Sequence, residues 1–248
     1  MSVPPFRWWW TALVLVPAIA FYTIVMGTAS LVGGLFDGRG RWAHGCAQIW
    51  ARLILVTSGV RIDRRGRPLP PPDESCIFVA NHSSFYDVPI LFTALPRPLR
   101  LMAKAALGYV PFIGWHLIRS GHLLVNRQNP GAAIFKRMQR MARSGASLMV
   151  FPEASRTIDG TVKRFKGGIF LLAIEHGLPI VPVSVAGSRI VMPKRRFMVR
   201  PATVVVTVHE AIATRDLSRD DARALAQRVQ GIVASAVPGG SPDADGGP

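Results

Sequence analysis

The chain has 248 residues, and its 30 Lys and Arg residues outnumber its 14 Asp and Glu residues to give a net charge of +16. This imbalance indicates an anionic partner, which can be a phospholipid surface, a phosphorylated substrate or nucleic acid. A hydrophobic content of 49% argues against a nucleic-acid tail protein and favours a membrane. Cys46 and Cys76 lack both a CxxC partner and a histidine cluster. This argues against a disulfide framework or a zinc site and indicates a reducing, cytoplasmic setting.

The first 60 residues predict membrane-anchoring helices. No charged residue occurs from Trp8 to Phe36, and about 29 residues of helix are roughly 43 Å long, more than the ~30 Å hydrocarbon core of a bilayer. Pro17 and several glycines interrupt the stretch, which predicts either one tilted span or two shorter helices in one leaflet. A cleaved signal peptide is the alternative, but the apolar run is about twice the usual length. A second, amphipathic helix is expected over Trp42–Val60.

Residues 61–237 predict a single α/β domain, because short apolar strands alternate with amphipathic helices. The basic, proline-rich segment 61–75 predicts a surface loop. Strands are expected at 76–80, 99–104, 122–125, 147–151, 179–185 and 202–210. Helices are expected at 87–95, 131–143, 168–176 and 218–236. The last residues, 238–248, are rich in Gly, Pro and Asp and predict a disordered tail.

The first candidate for chemistry is the segment NHSSFYD (81–87), which directly follows a predicted strand. Ser84 and Asp87 resemble a capping box, so one interpretation of the carboxylate is a structural role at a helix N-terminus. A strand-to-helix turn would also let Asp87 hold the His82 imidazole in one tautomer and stabilise its protonated form, as in a catalytic triad. Because neither a GxSxG motif nor a nearby cysteine supplies a nucleophile, the pair predicts general-base activation of a substrate hydroxyl.

The second candidate is the segment FPEASRT (151–157), at the end of another predicted strand. It places the Glu153 carboxylate and the Arg156 guanidinium in one loop, and arginine is suited to bidentate phosphate binding. A plain surface ion pair is the alternative interpretation. The sequence contains neither a GxxxxGK[ST] pattern nor an HExxH motif, so neither a nucleotide P-loop nor a metal site is predicted.

Together these segments resemble the motifs of the glycerolipid acyltransferase family, which includes the 1-acylglycerol-3-phosphate acyltransferases. NHSSFYD resembles the family's first motif, NHxxxxD, and FPEASRT resembles its third, FPEGTRS. GHLLVNR (121–127) resembles the second motif, and PIVPVSV (179–185) resembles the fourth. The segment 103–115 is similar to a family stretch that places a lysine, here Lys104, before a Pro-x-x-Gly turn. The order and spacing of these pieces match across residues 76–186.

The resemblance implies a single mixed-sheet α/β acyltransferase domain flanked by helices, with an N-terminal membrane-associated helical segment. It implies that His82 is the general base and that Asp87 orients it. The other implied site residues bind the acceptor's glycerol phosphate or the developing oxyanion, and they are Lys104, Arg127, Glu153, Ser155 and Arg156. The implied donor is acyl-CoA or acyl-carrier protein, without a further cofactor. Ala154 and Ser155 replace the usual glycine and threonine, so another lyso-lipid acceptor, such as a lyso-aminolipid, stays open.

The expected function is transfer of a fatty acyl group to the sn-2 hydroxyl of 1-acylglycerol 3-phosphate, giving phosphatidic acid, at a membrane with the active site facing the cytoplasm. A membrane lipid-binding protein without turnover is the alternative from another class, although such a protein needs no base. Two basic clusters predict contact with anionic lipid headgroups, at about 1 kcal/mol per charge, or with an acidic carrier protein. Nucleic acid is disfavoured because the cationic runs lack stacking aromatics. The clusters are Lys163, Arg164 and Lys166, and Arg189, Lys194, Arg195, Arg196 and Arg200.

Overall fold

The computed structural model describes residues 5–37, 40–71, 73–125 and 145–239, together with Arg137 and Met141. Its helices are α1 (Phe6–Trp10), α2 (Val16–Gly33), α3 (Arg41–Thr57), α4 (Asp87–Ala94), α5 (Ile113–Arg119), α6 (Gly168–Glu175), α7 (Ser188–Val191) and α8 (Ala222–Ser235). Its strands are β1 (Arg61–Gly66), β2 (Ile77–Ala80), β3 (Leu99–Lys104), β4 (Leu123–Val125), β5 (Ser147–Val150), β6 (Ile180–Ala186) and β7 (Thr203–Val208). The predicted helix at 131–143 and most of the predicted tail lie outside the described residues.

One helix in the described part of the chain is long and apolar enough to cross a membrane, Phe6–Gly33, with 28 residues and a mean hydropathy of 2.0. It continues past Pro17, where the sequence indicated an interruption, because a π-helical turn at Thr11–Leu15 joins α1 to α2 just before the proline. The wider turn relieves the clash between a proline ring and the carbonyl of the preceding turn. Only 11% of the apolar window is buried inside the protein, so most of this apolar surface faces outward.

Helices α2 and α3 form an antiparallel hairpin. The indole N–H of Trp42 donates to the carbonyl oxygen of Ala29 at 2.9 Å, and that of Trp50 donates to Thr23 Oγ1 at 3.0 Å. The inner face of the hairpin is continuous with the core of the α/β domain rather than separate from it. The buried hairpin and N-terminal residues in this core are Leu15, Ala51, Ile54 and Leu55.

The seven strands form one mixed sheet in the order β1-β7-β6-β2-β5-β3-β4. All neighbouring strands are parallel except β6 and β7, which are antiparallel. The fold class expected from the sequence is therefore confirmed. The prediction that 61–75 is entirely loop is wrong, since β1 pairs with β7 along its whole length. Its charged side chains fit there because β1 is an exposed edge strand that needs no continuous apolar face.

Two hydrophobic layers cover the sheet. In β2, Ile77 and Val79 point into one layer, and Phe78 and Ala80 point into the other, as the two-residue period of a strand requires. The hairpin and α4 cover the layer of Phe78, while α6 and α8 cover the layer of Ile77. Because β6, β2, β5, β3 and β4 run parallel, their carboxyl ends share one edge of the sheet. The segments that follow these strands therefore meet at that edge.

Candidate active site

The predicted His–Asp pair forms at the carboxyl end of β2. Nδ1 of His82 lies 2.8 Å from Oδ2 of Asp87, and Asp87 is fully buried at the first position of α4. The same carboxylate oxygen accepts the backbone N–H groups of Ser83 and Ser84, each at 2.8 Å. Asp87 therefore holds the turn before α4 and orients the imidazole at the same time. The capping box expected from Ser84 and Asp87 does not form, because Asp87 is the first residue of α4 and the helix has no side-chain cap hydrogen bond.

The geometry around His82 leaves one ring nitrogen available. A carboxylate only accepts hydrogen bonds, so Nδ1 carries the proton that it shares with Asp87, and Nε2 keeps its lone pair. The ring stacks on Phe151 with the centroids 4.2 Å apart and the planes at 20°. The side chain retains 16% exposure. A ring held on one face and at one nitrogen, with the other nitrogen unused, is suited to act as a base.

Asn81 fixes the start of this turn. Its side-chain amide donates to the carbonyl oxygen of Val185 at 2.9 Å, and its Oδ1 accepts the N–H of the same residue at 2.8 Å. These two bonds continue the hydrogen bonding between β2 and β6 one residue beyond the end of β2, with the Asn81 side chain in place of the backbone. The Ser83 hydroxyl is held by the Ser188 hydroxyl at 2.8 Å. Asn81 is part of the first motif, but the sequence pattern alone indicated no role for it.

Glu153 holds the backbone of His82. Its Oε1 accepts the N–H of His82 at 2.9 Å, and the residue is only 6% exposed. Burial raises the pKa of this carboxyl to about 7, although hydrogen bonds from the backbone of His82 and Lys163 act in the opposite direction. Oε2 is buried and has no hydrogen-bond partner among the described residues. The burial of Glu153 rules out the surface ion pair with Arg156.

The rest of the loop 153–157 also surrounds His82. The backbone N–H of Thr157 donates to the His82 carbonyl oxygen at 2.9 Å, so the loop holds His82 at both of its backbone polar atoms. The Arg156 guanidinium carbon lies 3.5 Å from the centroid of the Phe85 ring, in a cation–π contact. Burial lowers the pKa of Arg156, and the negative charge of Asp87 counteracts this. The stacked guanidinium keeps its N–H groups at the edge of the ring, where they can reach an anion.

Comparison with known proteins identifies the family. Residues 61–186, about half of the chain, match the family model described as acyltransferase. The chain is also 30% identical over 233 residues to a 1-acyl-sn-glycerol-3-phosphate acyltransferase of Chlamydomonas reinhardtii, covering 92% of this chain and 68% of that protein. This chain belongs to the acyltransferase family.

Two further similarities concern relatives of this acyltransferase. A chloroplast 1-acyl-sn-glycerol-3-phosphate acyltransferase of Brassica napus is 32% identical over 196 residues, which cover 76% of this chain and 56% of that protein. The chain thus spans between about half and two thirds of these relatives. The crystal structure of the 1-acyl-sn-glycerophosphate acyltransferase PlsC from Thermotoga maritima superposes with a TM-score of 0.71 at 22% identity, covering 87% of this chain and 91% of that one. At that identity the likeness establishes the fold.

The other predicted site residues of the acyltransferase are placed less centrally. Lys104 ends β3 at the same edge of the sheet, but β5 lies between β3 and β2, and its side chain is exposed. Ser155 is exposed. Arg127 lies outside the described residues. Ala154, which stands where the family motif usually has glycine, has a φ of 60°, in the left-handed region that disfavours any side chain.

Two lysines of the predicted basic clusters contact the loop 153–157. Nζ of Lys163 and Nζ of Lys194 both donate to the carbonyl oxygen of Arg156, at 3.1 and 2.7 Å. Lys163 Nζ is also 3.3 Å from Ser155 Oγ. Their separation in the sequence gave no signal of this arrangement, because only the fold brings the two segments together.

An apolar cavity of about 320 Å³ lies between the hairpin and helices α4 and α5. Phe85, whose ring stacks against the Arg156 guanidinium, lines this cavity. The cavity therefore adjoins the turn that contains His82. A larger cavity of about 830 Å³ is lined in part by Arg100, but neither His82 nor Asp87 lines it. The apolar cavity suits an alkyl chain. Its lining includes Met26, Trp50, Phe85, Val88, Phe92 and Leu107.

Proposed function

We propose that this acyltransferase moves a fatty acyl group from a thioester to the sn-2 hydroxyl of 1-acylglycerol 3-phosphate, with His82 as general base and Asp87 as its partner. The observation that carries the proposal is the buried Asp87 carboxylate 2.8 Å from His82 Nδ1, which leaves Nε2 to take a proton. The two serines beside the pair are poor nucleophiles, because both are buried and their hydroxyls are engaged. Ser83 binds Ser188, and Ser84 donates to the Met192 carbonyl oxygen at 3.0 Å.

In the proposed reaction, Nε2 of His82 takes the proton from the acceptor hydroxyl as its oxygen attacks the thioester carbonyl carbon. Asp87 stabilises the imidazolium that forms. The tetrahedral intermediate then collapses, the carbon–sulfur bond breaks, and the departing thiolate takes the proton from Nε2. His82 ends the cycle unchanged. The thioester supplies the activated acyl group, so the proposal requires no resident cofactor and no metal.

The charged and apolar groups around the His–Asp pair support particular substrates. Arg156, half-exposed beside the His–Asp pair, is suited to a phosphate on the acceptor. Both relatives described above are named 1-acyl-sn-glycerol-3-phosphate acyltransferases, which supports the same acceptor here. The apolar cavity beside Phe85 is suited to the fatty acyl chain. We propose acyl-CoA or acyl-carrier protein as the donor, both of which are anionic and complement the net charge of +16.

We also propose that the enzyme works on a membrane surface with its active site facing the cytoplasm. The outward-facing apolar helix Phe6–Gly33 supports membrane contact, and the exposed tryptophans Trp9 and Trp10 suit the interfacial region. The excess of Lys and Arg outside this helix supports the cytoplasmic side, where such residues concentrate and anionic lipids attract them.

The test is acyl transfer by the full chain in detergent, with labelled 1-acylglycerol 3-phosphate and with acyl-CoA and acyl-carrier protein offered separately. Phosphatidic acid is expected from the wild type, and His82→Ala is expected to lower the rate by about 10² to 10⁴. His209→Gln is the matched control, because the His209 ring contacts the Ser184 hydroxyl rather than His82 or Asp87. Undiminished product from His82→Ala would refute the mechanism. Transfer only to other lyso-lipids would refute the acceptor.

A further inference from the structure

The peptide group that joins Arg156 to Thr157 connects the catalytic histidine to a group of cations. Its N–H donates to the His82 carbonyl oxygen at 2.9 Å. Its carbonyl oxygen accepts hydrogen bonds from Lys163 Nζ at 3.1 Å and Lys194 Nζ at 2.7 Å. Because the two ammonium groups share one oxygen, they lie close together. We call Arg156, Lys163 and Lys194 the Arg156 cluster, and it is one peptide group away from His82.

The carboxylates near the Arg156 cluster form their hydrogen bonds with other groups, although the charge of Asp87 acts on Arg156 and that of Lys163 acts on Glu153. Asp87 is buried and holds His82. Glu153 is buried, and the rise of its pKa to about 7 removes much of its negative charge at neutral pH. Asp159 accepts hydrogen bonds from the hydroxyl groups of Thr157 and Thr161. Among the described residues no carboxylate forms an ion pair with a member of the cluster. Like charges gathered in this way attract an anion.

We propose that Lys163 and Lys194 act with Arg156 as the binding site for a phosphate monoester, and that the site takes the phosphate of the lysophospholipid acceptor. This inference rests on the proposed function and names the residues that select its substrate. A phosphate monoester carries a charge of about −1.5 to −2 at pH 7 and three strong acceptor oxygens, which matches three cations. A phosphodiester headgroup carries only one negative charge, so the cluster favours acceptors with a free phosphate. The terminal phosphate of coenzyme A has the same chemistry.

The position of Lys194 supports the acceptor as the source of this phosphate. Its loop is tied to the catalytic turn, because the Ser84 hydroxyl donates to the Met192 carbonyl oxygen at 3.0 Å. A few residues further on, the loop is tied to the apolar N-terminal helix, because the N–H of Val199 donates to Thr11 Oγ1 at 3.1 Å. The loop that carries Lys194 therefore connects the turn of the proposed base to the helix proposed to contact the bilayer. A lipid headgroup that reaches the site along this helix would meet this loop.

The experiment compares Lys163→Met, Lys194→Met and the double variant in the full chain in detergent micelles. Methionine keeps an apolar stem of similar length and removes the ammonium. Each single variant is expected to raise the KM for 1-acylglycerol 3-phosphate about tenfold, and the double variant about a hundredfold, since each removes a charge-assisted hydrogen bond. The kcat and the KM for acyl-CoA should change less than about twofold. Arg223→Met, which removes an exposed charge from α8 and lies outside both basic clusters, is the control and should leave both constants unchanged.

Three results would overturn the assignment. A fall in kcat with an unchanged acceptor KM would show that the lysines only shape the loop. A rise confined to the KM for acyl-CoA, and absent with acyl-carrier protein, would move the site to the donor's terminal phosphate. An acceptor KM equal to that of Arg223→Met would exclude any role of the lysines in substrate binding.

A binding measurement separates this inference from the proposed function. Calorimetric titration of the full chain with glycerol 3-phosphate as the probe should give weaker binding in the lysine variants than in Arg223→Met. If the wild type acylates no 1-acylglycerol 3-phosphate but this loss of probe binding occurs, the proposed function fails and the phosphate site stands. If all variants bind the probe equally, the phosphate site fails even where acyl transfer is observed.

Discussion

Replacing Glu153 by glutamine should stabilise the folded protein at alkaline pH. The carboxyl is 6% exposed, and burial raises its pKa from 4.5 to about 7. Below pH 4.5 the group is protonated in both the folded and the unfolded chain. Between pH 4.5 and 7 the unfolded chain releases the proton and the folded chain keeps it, so the wild type loses stability as the pH rises. Glutamine cannot ionise, and its Oε1 can still accept the N–H of His82.

The size of the effect follows from the shift in the pKa of Glu153. A rise of the pKa from 4.5 to about 7, at roughly 1.4 kcal/mol per pH unit, gives about 3.5 kcal/mol as the upper limit of the stability that the wild type loses between pH 4.5 and 8. The Glu153→Gln protein should escape this loss. Glu153→Ala should be less stable than Glu153→Gln by about 1 to 3 kcal/mol at every pH, because it leaves the His82 N–H without a partner.

The assay is thermal or denaturant unfolding of the three proteins in the same detergent from pH 4.5 to 8. The difference between wild type and Glu153→Gln removes the contributions of all other titrating groups. Acyl transfer at pH 7 should survive in Glu153→Gln and be lost or strongly reduced in Glu153→Ala, since only the latter frees the turn. A stability difference that does not depend on pH, or a glutamine variant that is less stable at pH 8, would show that Glu153 is ionised in the folded protein.

Three further outcomes are expected. Asp87→Asn should lower kcat by about 10² to 10⁴ in the transfer assay, because an amide at this position no longer holds the base in its working tautomer. Ala154→Gly should raise the free energy of unfolding by about 0.5 kcal/mol, because glycine adopts the φ of 60° without strain. The control is Ala213→Gly, at an exposed position without positive φ, which should lower the free energy of unfolding by a similar amount. Burial, then the charge of Arg100, lowers the pKa of His116 to about 4. Unfolding scans should therefore show stability lost as the pH falls from 6.5 towards 4, by up to about 3 kcal/mol, and His116→Gln should reduce that loss.

The sheet could be predicted from the sequence because its strands are apolar runs bounded by turn residues. The strand expected at 99–104 has the same bounds in the structure, and the strand expected at 76–80 begins one residue later. The exception, β1, has almost no apolar pattern, since an edge strand is defined by its partner β7. The π turn before Pro17 was equally unpredictable, because it depends on how the helix accommodates the proline.

In the site, too, contacts within one turn could be predicted from the sequence, and contacts between distant segments could not. His82 and Asp87 are five residues apart in one strand-to-helix turn, so local chemistry was enough to pair them. The contact between Glu153 and the His82 N–H joins residues 71 positions apart, and the contact between Lys194 and Arg156 joins residues 38 apart. No local pattern encodes such pairs. The resemblance indicated Glu153 as a phosphate ligand, whereas its observed contact is to the backbone of His82.

The burial of Glu153 has a consequence for the chemistry of His82. Two carboxyl groups lie beside this histidine, and Asp87 is the one that contacts its ring. A second ionised carboxylate would place a further full negative charge next to the imidazole. Because burial raises the pKa of Glu153 to about 7, this residue can hold the backbone of His82 without adding a full negative charge at neutral pH. A carboxyl that is only partly ionised also competes less for the cations of the Arg156 cluster, which we propose to bind the substrate's phosphate.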